Sequence, residues 1–155
     1  MYNTILVPHG GTDAEDEALR HAMGLTKNTS KIILLHVVEA LPYPPSFVLS
    51  SSERIRLLEN VDDVNEEMRQ DMIKMMEKYA QQCKKNNIKS KVKVEIGDAA
   101  EIILDIVEKE KVDLIVMSKR RKLKGVKKLL SLGSVSRKIV ESTSCPVLLI
   151  DVEKK

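Results

Sequence analysis

The stretch that decides the predicted fold is KIILLHVV, residues Lys31–Val38. Its apolar residues follow one another without the alternation of apolar and polar side chains that marks a strand with one wet face. A solidly apolar run of this kind is typical of a strand that is covered on both faces, as in a parallel sheet. The stretch therefore predicts a central strand of an α/β protein.

The rest of the chain alternates short apolar runs with longer amphipathic ones. Thr4–Val7 and Val112–Ser118 are further apolar runs, and CPVLLIDV closes the pattern from Cys145 onward. In residues 91–96, valine and isoleucine alternate with charged residues, which indicates a strand with one wetter face. This order predicts an α/β fold with a doubly wound, five-stranded parallel sheet, Rossmann-like, with helices on both faces and the strand order 3-2-1-4-5.

Between the strands, the spacing of apolar residues predicts helices. Thr12 precedes Glu15 by three residues, and Asp98 stands in the same relation to Glu101, as in a capping box at a helix start. A long helix is predicted over residues 52–86. Apolar residues at spacings of three and four form a stripe along it: Val61, Val64, Met68, Met72, Met75, Tyr79 and Cys83. We assign the Met68–Met76 group to the core.

Size and composition set the broad class. A chain of 155 residues is long enough for one domain with a full core, and we expect a single domain over residues 1–155. The net charge of +3 favours no class of partner by itself. Two cysteines, Cys83 and Cys145, make no disulfide framework, and no Cys/His spacing indicates a metal site. Because no signal peptide or spanning apolar run is visible, we expect a cytoplasmic protein that has no membrane segment.

The predicted topology also indicates where a ligand would bind. In such sheets, ligands lie at the carboxyl ends of the strands, around the point where the strand order reverses. That point lies between the first and fourth strands, which end at PHGG and MSKRR. The second of these opens a basic loop, SKRRKLKGVKKLLSLGSVS, residues 118–136. The basic loop is thus predicted to lie at the ligand-binding edge of the sheet.

Four segments together resemble the universal stress protein family, of the archaeal and bacterial single-domain type. They are ILVPHGGTDAEDEALRHA, IILLHVVE, VDLIVMS and LGSVSRKIVESTSCPVLLI, and they occur in order over nearly the whole chain. The most specific part runs from Gly133-Ser134-Val135 to Cys145-Pro146-Val147. The resemblance implies a regulatory protein of the stress response that binds an adenine nucleotide, ATP or AMP, with or without magnesium. The site that it implies comprises Pro8, His9, Gly10, Val37, Met117, Ser118, Arg120, Arg121, Gly133, Ser134, Val135 and Ser136.

The nucleotide motif of this family is only partly present. Many members carry Gly-x-x-Gly followed at a fixed distance by Gly-Ser, so that backbone N–H groups and a helix start can hold phosphates. Gly133 and Ser134 match the end of the motif, whereas no alignment restores the first glycine pair. The aspartate that family members usually carry after the first strand corresponds to Gly10. In one interpretation, Lys119, Arg120 and Arg121 replace the missing backbone contacts with charge-assisted hydrogen bonds to phosphate.

Two other interpretations remain open. In one of them, the chain is a dimeric interaction module that binds no nucleotide, and its basic loop contacts an acidic partner protein. In the other, HGGTDAE is a variant of the SGGxDS loop of ATP pyrophosphatases, which it partly resembles. We expect a binding protein with no catalytic residues, in which slow ATP hydrolysis would be incidental. The basic loop contains no aromatic residue for base stacking, which argues against nucleic acid.

Several single residues have two interpretations each. His9 is either a donor to a ligand or a half-exposed loop histidine, His36 is assigned to the core, and His21 to the surface. Ser134 and Ser136 either cap the last helix or bind phosphate. Cys145 is assigned to a buried position at a strand start.

The last strand is predicted to be an unprotected apolar edge of the sheet. Such an edge is usually covered, and a second copy of the chain is the simplest cover. The resemblance implies the same arrangement. We therefore expect a homodimer that forms through Val147, Leu148, Leu149 and Ile150.

Overall fold

The computed structural model describes residues 2–38, 50–119 and 132–151. In that part of the chain, five strands alternate with four helices. Their bounds are β1 Thr4–Pro8, α1 Asp13–Gly24, β2 Lys31–Val38, α2 Ser51–Lys85, β3 Lys89–Ile96, α3 Ala99–Lys109, β4 Leu114–Ser118, α4 Ser134–Ser142 and β5 Val147–Ile150. None of these helices is both long enough and apolar enough to cross a membrane.

The strands form one parallel sheet in the order β3-β2-β1-β4-β5. This confirms the predicted α/β class and the predicted strand order. Because β1 lies between β2 and β4, the order reverses at β1, and the β1 and β4 ends form the switch point of the sheet. The solid apolar run of β2 is explained by its position, since Ile32, Ile33 and Leu34 are fully buried between the two faces.

Two apolar cores lie on the two faces of the sheet. On one face, α1 and α2 cover the sheet through residues such as Leu19 and Met76, both fully buried. On the other face, α3 and α4 contribute Ile103 and Ile139. Helices on both faces are what the doubly wound prediction requires.

The length of α2 explains why its apolar stripe is not buried along its whole length. The helix has 35 residues and is about 52 Å long at 1.5 Å per residue, whereas the eight residues of β3 span about 26 Å. The helix therefore extends well beyond the sheet. Met76, Tyr79 and Cys83 are buried as the periodicity of the stripe suggests, whereas Val64, nearer the start of the helix, is 41% exposed.

The two edges of the sheet differ. At β3, the Arg69 Nε of α2 donates to the Val94 carbonyl at 2.9 Å, which satisfies one edge group. Lys31, Lys91 and Lys93 surround the Glu110 carboxylate at 3.3, 3.2 and 3.0 Å and hold its pKa at about 2, Lys93 most strongly. The charges at this edge oppose pairing with another strand. The β5 edge carries four apolar residues in a row, as predicted.

Candidate functional site

The candidate site lies where β1 and β4 end side by side. The two strands pair in parallel, with Leu6 opposite Ile115, so both chains leave the sheet at the same edge. Met117 and Ser118 at the end of β4 are 6% and 7% exposed. Pro8, at the end of β1, is partly buried. The structure thus brings together the ends that the sequence predicted to meet.

His9 follows β1 and points into the protein. Its residue exposure is 2%, so its interpretation as a half-exposed loop histidine is wrong. The Gly11 N–H donates to His9 Nδ1 at 3.0 Å, and His9 Nε2 lies 3.0 Å from an Asp16 carboxylate oxygen. Nδ1 is therefore an acceptor and Nε2 carries the proton. The Tyr79 ring packs against the imidazole with ring centroids 3.9 Å apart.

Because both ring nitrogens are bonded within the chain, the His9 side chain has no free donor for a ligand. Its backbone is engaged as well: the N–H donates to the Leu35 carbonyl at 2.7 Å, and the carbonyl accepts from His36 Nδ1 at 2.9 Å. His9 thus joins β1 to β2, α1 and α2. His36 is only partly buried, less than its assignment to the core suggested, and His21 is exposed on α1 as predicted.

The pKa of His9 is lowered from its usual value. Burial is the main cause, because it disfavours the charged imidazolium, and the nearby Lys78 ammonium acts in the same direction. The carboxylates of Glu15 and Asp16 oppose this shift without cancelling it. His9 is therefore held neutral, in the tautomer that the Gly11 hydrogen bond requires.

The turn between β1 and α1 is closed by a carboxylate of its own. Glu15 accepts from the Gly10 N–H at 2.6 Å, and from the Thr12 N–H and hydroxyl at 3.1 Å each. The predicted capping box at Thr12 and Glu15 is confirmed. Gly11, which lies between Gly10 and Thr12, has a φ of +88°, a conformation that favours glycine. Backbone N–H groups that converge in this way form an anion-binding nest, and here Glu15 fills it.

The start of α4 is arranged in the opposite way. Gly133 is the N-cap residue and has no side chain, and neither Ser134 nor Ser136 caps the helix. The interpretation of these serines as caps is therefore wrong: Ser134 is already the first helical residue, and Ser136 is 5% exposed inside the first turn. The first intrahelical hydrogen bond runs from the Arg137 N–H to the Gly133 carbonyl at 3.0 Å.

Within the described residues, the first turn of α4 consequently leaves backbone donors without an acceptor. The N–H groups of Ser134, Val135 and Ser136 precede the first helical bond and have no acceptor among the described residues. A methyl group added at Gly133 would meet nothing within 4 Å. An open space therefore lies beside three N–H groups and the positive end of the helix dipole, which is a favourable environment for an anion.

Some of the other residues of the predicted site are described by the structure, and some are not. Val37 is partly buried near the end of β2, next to the switch point. The Lys119 N–H donates to the Ile150 carbonyl at 2.8 Å, so the chain leaves β4 bonded to β5. Arg120 and Arg121 lie outside the described residues.

Metal and thiol chemistry find little support in the described ranges. Within them, no group of three or more His, Cys, Asp and Glu side chains is arranged to hold a metal ion. Cys145 is half-buried, less than the sequence suggested, and burial raises the pKa of its thiol. Burial likewise raises the pKa of the Cys83 thiol, which disfavours the reactive thiolate at neutral pH.

Residues 1–151 match the model of the universal stress protein family. The chain belongs to this family. It is 30% identical to a universal stress protein of Methanocaldococcus jannaschii over 100% of this chain and 85% of that protein. It is 32% identical to one of Methanothermobacter thermautotrophicus over 97% of this chain and 96% of that protein.

Solved structures share the fold at lower identity. A protein described as hypothetical in a structural-genomics test case has a TM-score of 0.80 at 24% identity, and the match covers 100% of this chain and 99% of that protein's chain. An Arabidopsis thaliana family member with AMP bound has a TM-score of 0.62 at 20% identity, covering 97% and 92%. A universal stress protein in complex with cAMP has a TM-score of 0.58 at 17% identity, covering 96% of each chain. Some structural relatives therefore bind adenine nucleotides.

Sequence reasoning missed three parts of this site. Glu15 was identified only as a capping residue, although the same spacing to Thr12 could have indicated that it closes the whole turn. Asp16 and Tyr79 carry no local signal that ties them to His9. Their contacts with His9 depend on how α1 and α2 pack against the sheet, which no short motif encodes.

Proposed function

We propose that this universal stress protein binds an adenine nucleotide, ATP or AMP, at the switch point of its sheet and acts through the bound nucleotide as a regulatory protein. The observation that carries the proposal is the uncapped start of α4, where three N–H groups adjoin open space at Gly133. Phosphate oxygens would accept from these groups and be favoured by the helix dipole. Val37 lies near the switch point, where the family resemblance implies contact between its backbone and the base.

The proposal is one of binding without a dedicated reaction. A pyrophosphatase-like use of HGGTDAE would need the N–H groups of the β1–α1 turn to hold pyrophosphate. In this protein, Gly10 and Thr12 already donate to Glu15, and Gly11 donates to His9. A second anion in this turn would have to displace a carboxylate that is 7% exposed. These contacts favour the binding protein over the enzyme.

The test is a calorimetric titration with Mg-ATP and with AMP, using the wild type and two glycine variants. Gly133→Val places a branched side chain in the open space at the α4 start without a predicted clash. Gly24→Val is the matched control. Gly24 also faces open space, but it is the last residue of α1 and lies at the amino ends of the strands, away from the candidate site. We expect saturable binding that Gly133→Val weakens more than about tenfold, or about 1.4 kcal/mol, and Gly24→Val leaves unchanged.

Two results would count against this function. Equal loss in both variants would show a general effect of valine rather than a site at α4. No heat with either nucleotide, in a wild type that is folded by circular dichroism, would favour the dimeric interaction module. A third comparison, with Arg120 and Arg121 changed to alanine, separates side-chain charge from backbone donors as the source of phosphate affinity.

The proposed regulatory unit is a homodimer paired through β5. Support comes from the topology, since β5 is an edge strand whose residues Val147, Leu148 and Leu149 are only partly buried in one copy. Pairing with a second β5 would satisfy the edge and cover these side chains. Leu149→Lys should yield a monomer or aggregates in light scattering. An unchanged dimer would exclude this interface.

A further inference from the structure

The N-terminal part of α2 projects beyond the carboxyl edge of the sheet. The contact between Arg69 Nε and the Val94 carbonyl lies near the end of β3, and no residue of α2 before Asn65 is buried. Residues 51–64, here called the α2 arm, therefore extend past the strands over about 21 Å. The arm has a defined start, because the Glu53 N–H donates to the Ser50 hydroxyl at 3.3 Å and Glu53 accepts from the Ser50 N–H at 3.2 Å.

The α2 arm carries an apolar stripe that stays partly exposed in one copy of the chain. Leu57 is 37% exposed and Val64 is 41% exposed, with the partly buried Val61 between them. The spacing of four and three residues places them on one side of the helix, in line with Met68 and Met72, which pack against the core. The stripe that holds α2 on the sheet thus continues onto the arm.

The charges beside the stripe suit a second copy of the same arm. Arg56 lies on the flank of the helix that also bears Asp63 and Glu67, and all three residues are exposed. In an antiparallel pair with Leu57 against the partner's Val64, Arg56 falls between the partner's Asp63 and the partner's Glu67. Two-fold symmetry repeats each contact, so both apolar residues are covered and both arginines face acids.

We propose that the α2 arm is a self-association surface at which two copies pair antiparallel. This surface is independent of the β5 edge. The helix α2 covers β2 and β3, whereas β5 is the edge strand at the opposite end of the strand order. Both contacts can form in one assembly, which makes a dimer of dimers. Two short stripes bury less area than a stable standard interface, of about 1,600 Å² in total, so the association is weak and depends on concentration.

The test is sedimentation velocity of the full chain from micromolar to millimolar concentration. We expect the wild type to form a species larger than the β5 assembly as concentration rises. The double variant Leu57→Glu with Val64→Glu should raise the dissociation constant of that step more than about tenfold, because four carboxylates then meet at the apolar seam. Ile55→Glu is the matched control: Ile55 is 56% exposed but lies on the other side of the arm, and its change should leave the step intact.

A charge reversal tests the antiparallel arrangement itself. Arg56→Glu alone should weaken the step, since it faces the partner's Asp63 and the partner's Glu67. The double variant Arg56→Glu with Glu67→Arg should recover part of the loss, because it restores the contact with residue 67 and leaves the new carboxylate at position 56 against the partner's Asp63. The proposal is overturned if the wild type shows no larger species up to millimolar concentration, or if Ile55→Glu acts as strongly as the stripe variant. The same series in the Leu149→Lys background separates the two interfaces. Association through the α2 arm should persist in that background, whether or not β5 pairs two copies.

Discussion

The β1–α1 turn and the start of α4 lie at the same edge of the sheet, and both combine glycine with a helix N-terminus. In the first, Glu15 accepts from two backbone N–H groups and His9 from a third. In the second, the cap residue is Gly133 and the first three N–H groups of the helix have no described acceptor. The comparison shows that a glycine turn before a helix is available to an anion only where the chain supplies no anion of its own.

The same difference predicts that one turn stabilises the fold and that the other binds a ligand. The β1–α1 turn is closed by Glu15 and tied through His9 to β2, α1 and α2, so changes there should lower the stability of the fold. The α4 start has no such partner among the described residues, so changes there should alter binding and leave stability nearly unaffected. Three variants test the first half of this contrast, in order of decreasing effect.

Replacing Glu15 by alanine should have the largest effect. It removes the acceptor of three hydrogen bonds and leaves the Gly10 and Thr12 donors unsatisfied, which we expect to lower the free energy of unfolding by about 2–4 kcal/mol. Urea unfolding followed by circular dichroism measures the change. Asp13→Ala, in the same helical turn but exposed, is the control and should cost less than about 1 kcal/mol. Similar losses in the two variants would contradict the role assigned to Glu15.

Replacing Gly11 by alanine should have an intermediate effect. Its φ of +88° disfavours a side chain, and a new Cβ would lie 3.0 Å from the Met75 sulfur. We expect a loss of about 1–2 kcal/mol in the same unfolding assay. Gly24→Ala is the matched control, because Gly24 is helical and faces open space, and it should stabilise the protein by about 0.5–1 kcal/mol. Equal stability of the two alanine variants would mean that the turn is not constrained.

The smallest effect of the three is the pH dependence that His9 contributes. The pKa of His9 is lower in the folded protein than the usual value of 6.5, so this contribution is present above that value and is lost as pH falls through the folded pKa. Protonation would also place a proton on Nδ1, the atom that accepts from Gly11. Between pH 7.5 and pH 5.5, the free energy of unfolding should fall more for the wild type than for His9→Asn. Parallel losses would assign the pH dependence to other groups.

The sequence alone predicted the fold well because its signals are local. The solid run of Lys31–Val38, the alternating third strand and the helix starts at Thr12 and Asp98 each depend on neighbouring residues. The exposure of Val64 was not accessible to the same reasoning, since periodicity shows which side of a helix is apolar but not where the sheet beneath it ends. The buried contacts of His9 with Asp16 and Tyr79 were missed for a related reason, because they join elements that are distant in sequence.

The candidate site was only partly accessible to the same reasoning. Gly133-Ser134 was identified by its match to a family motif, and its place at the start of α4 is confirmed. The interpretation of Ser134 and Ser136 as caps was wrong by one and by three positions, since the cap is Gly133. Which of two glycine turns is already filled depends on the rotamer of one glutamate, and no sequence pattern determines a rotamer.

The most direct test of this account is an NMR titration of the ¹⁵N-labelled protein with AMP, in which the backbone amide signals of both turns are followed together. We predict that the amides of Ser134, Val135 and Ser136 shift with saturation, whereas those of Gly10, Gly11 and Thr12 stay in place. Saturating shifts in the β1–α1 turn, with the α4 start unchanged, would contradict it. That result would mean that the ligand displaces Glu15 and that the uncapped helix start is not the anion site.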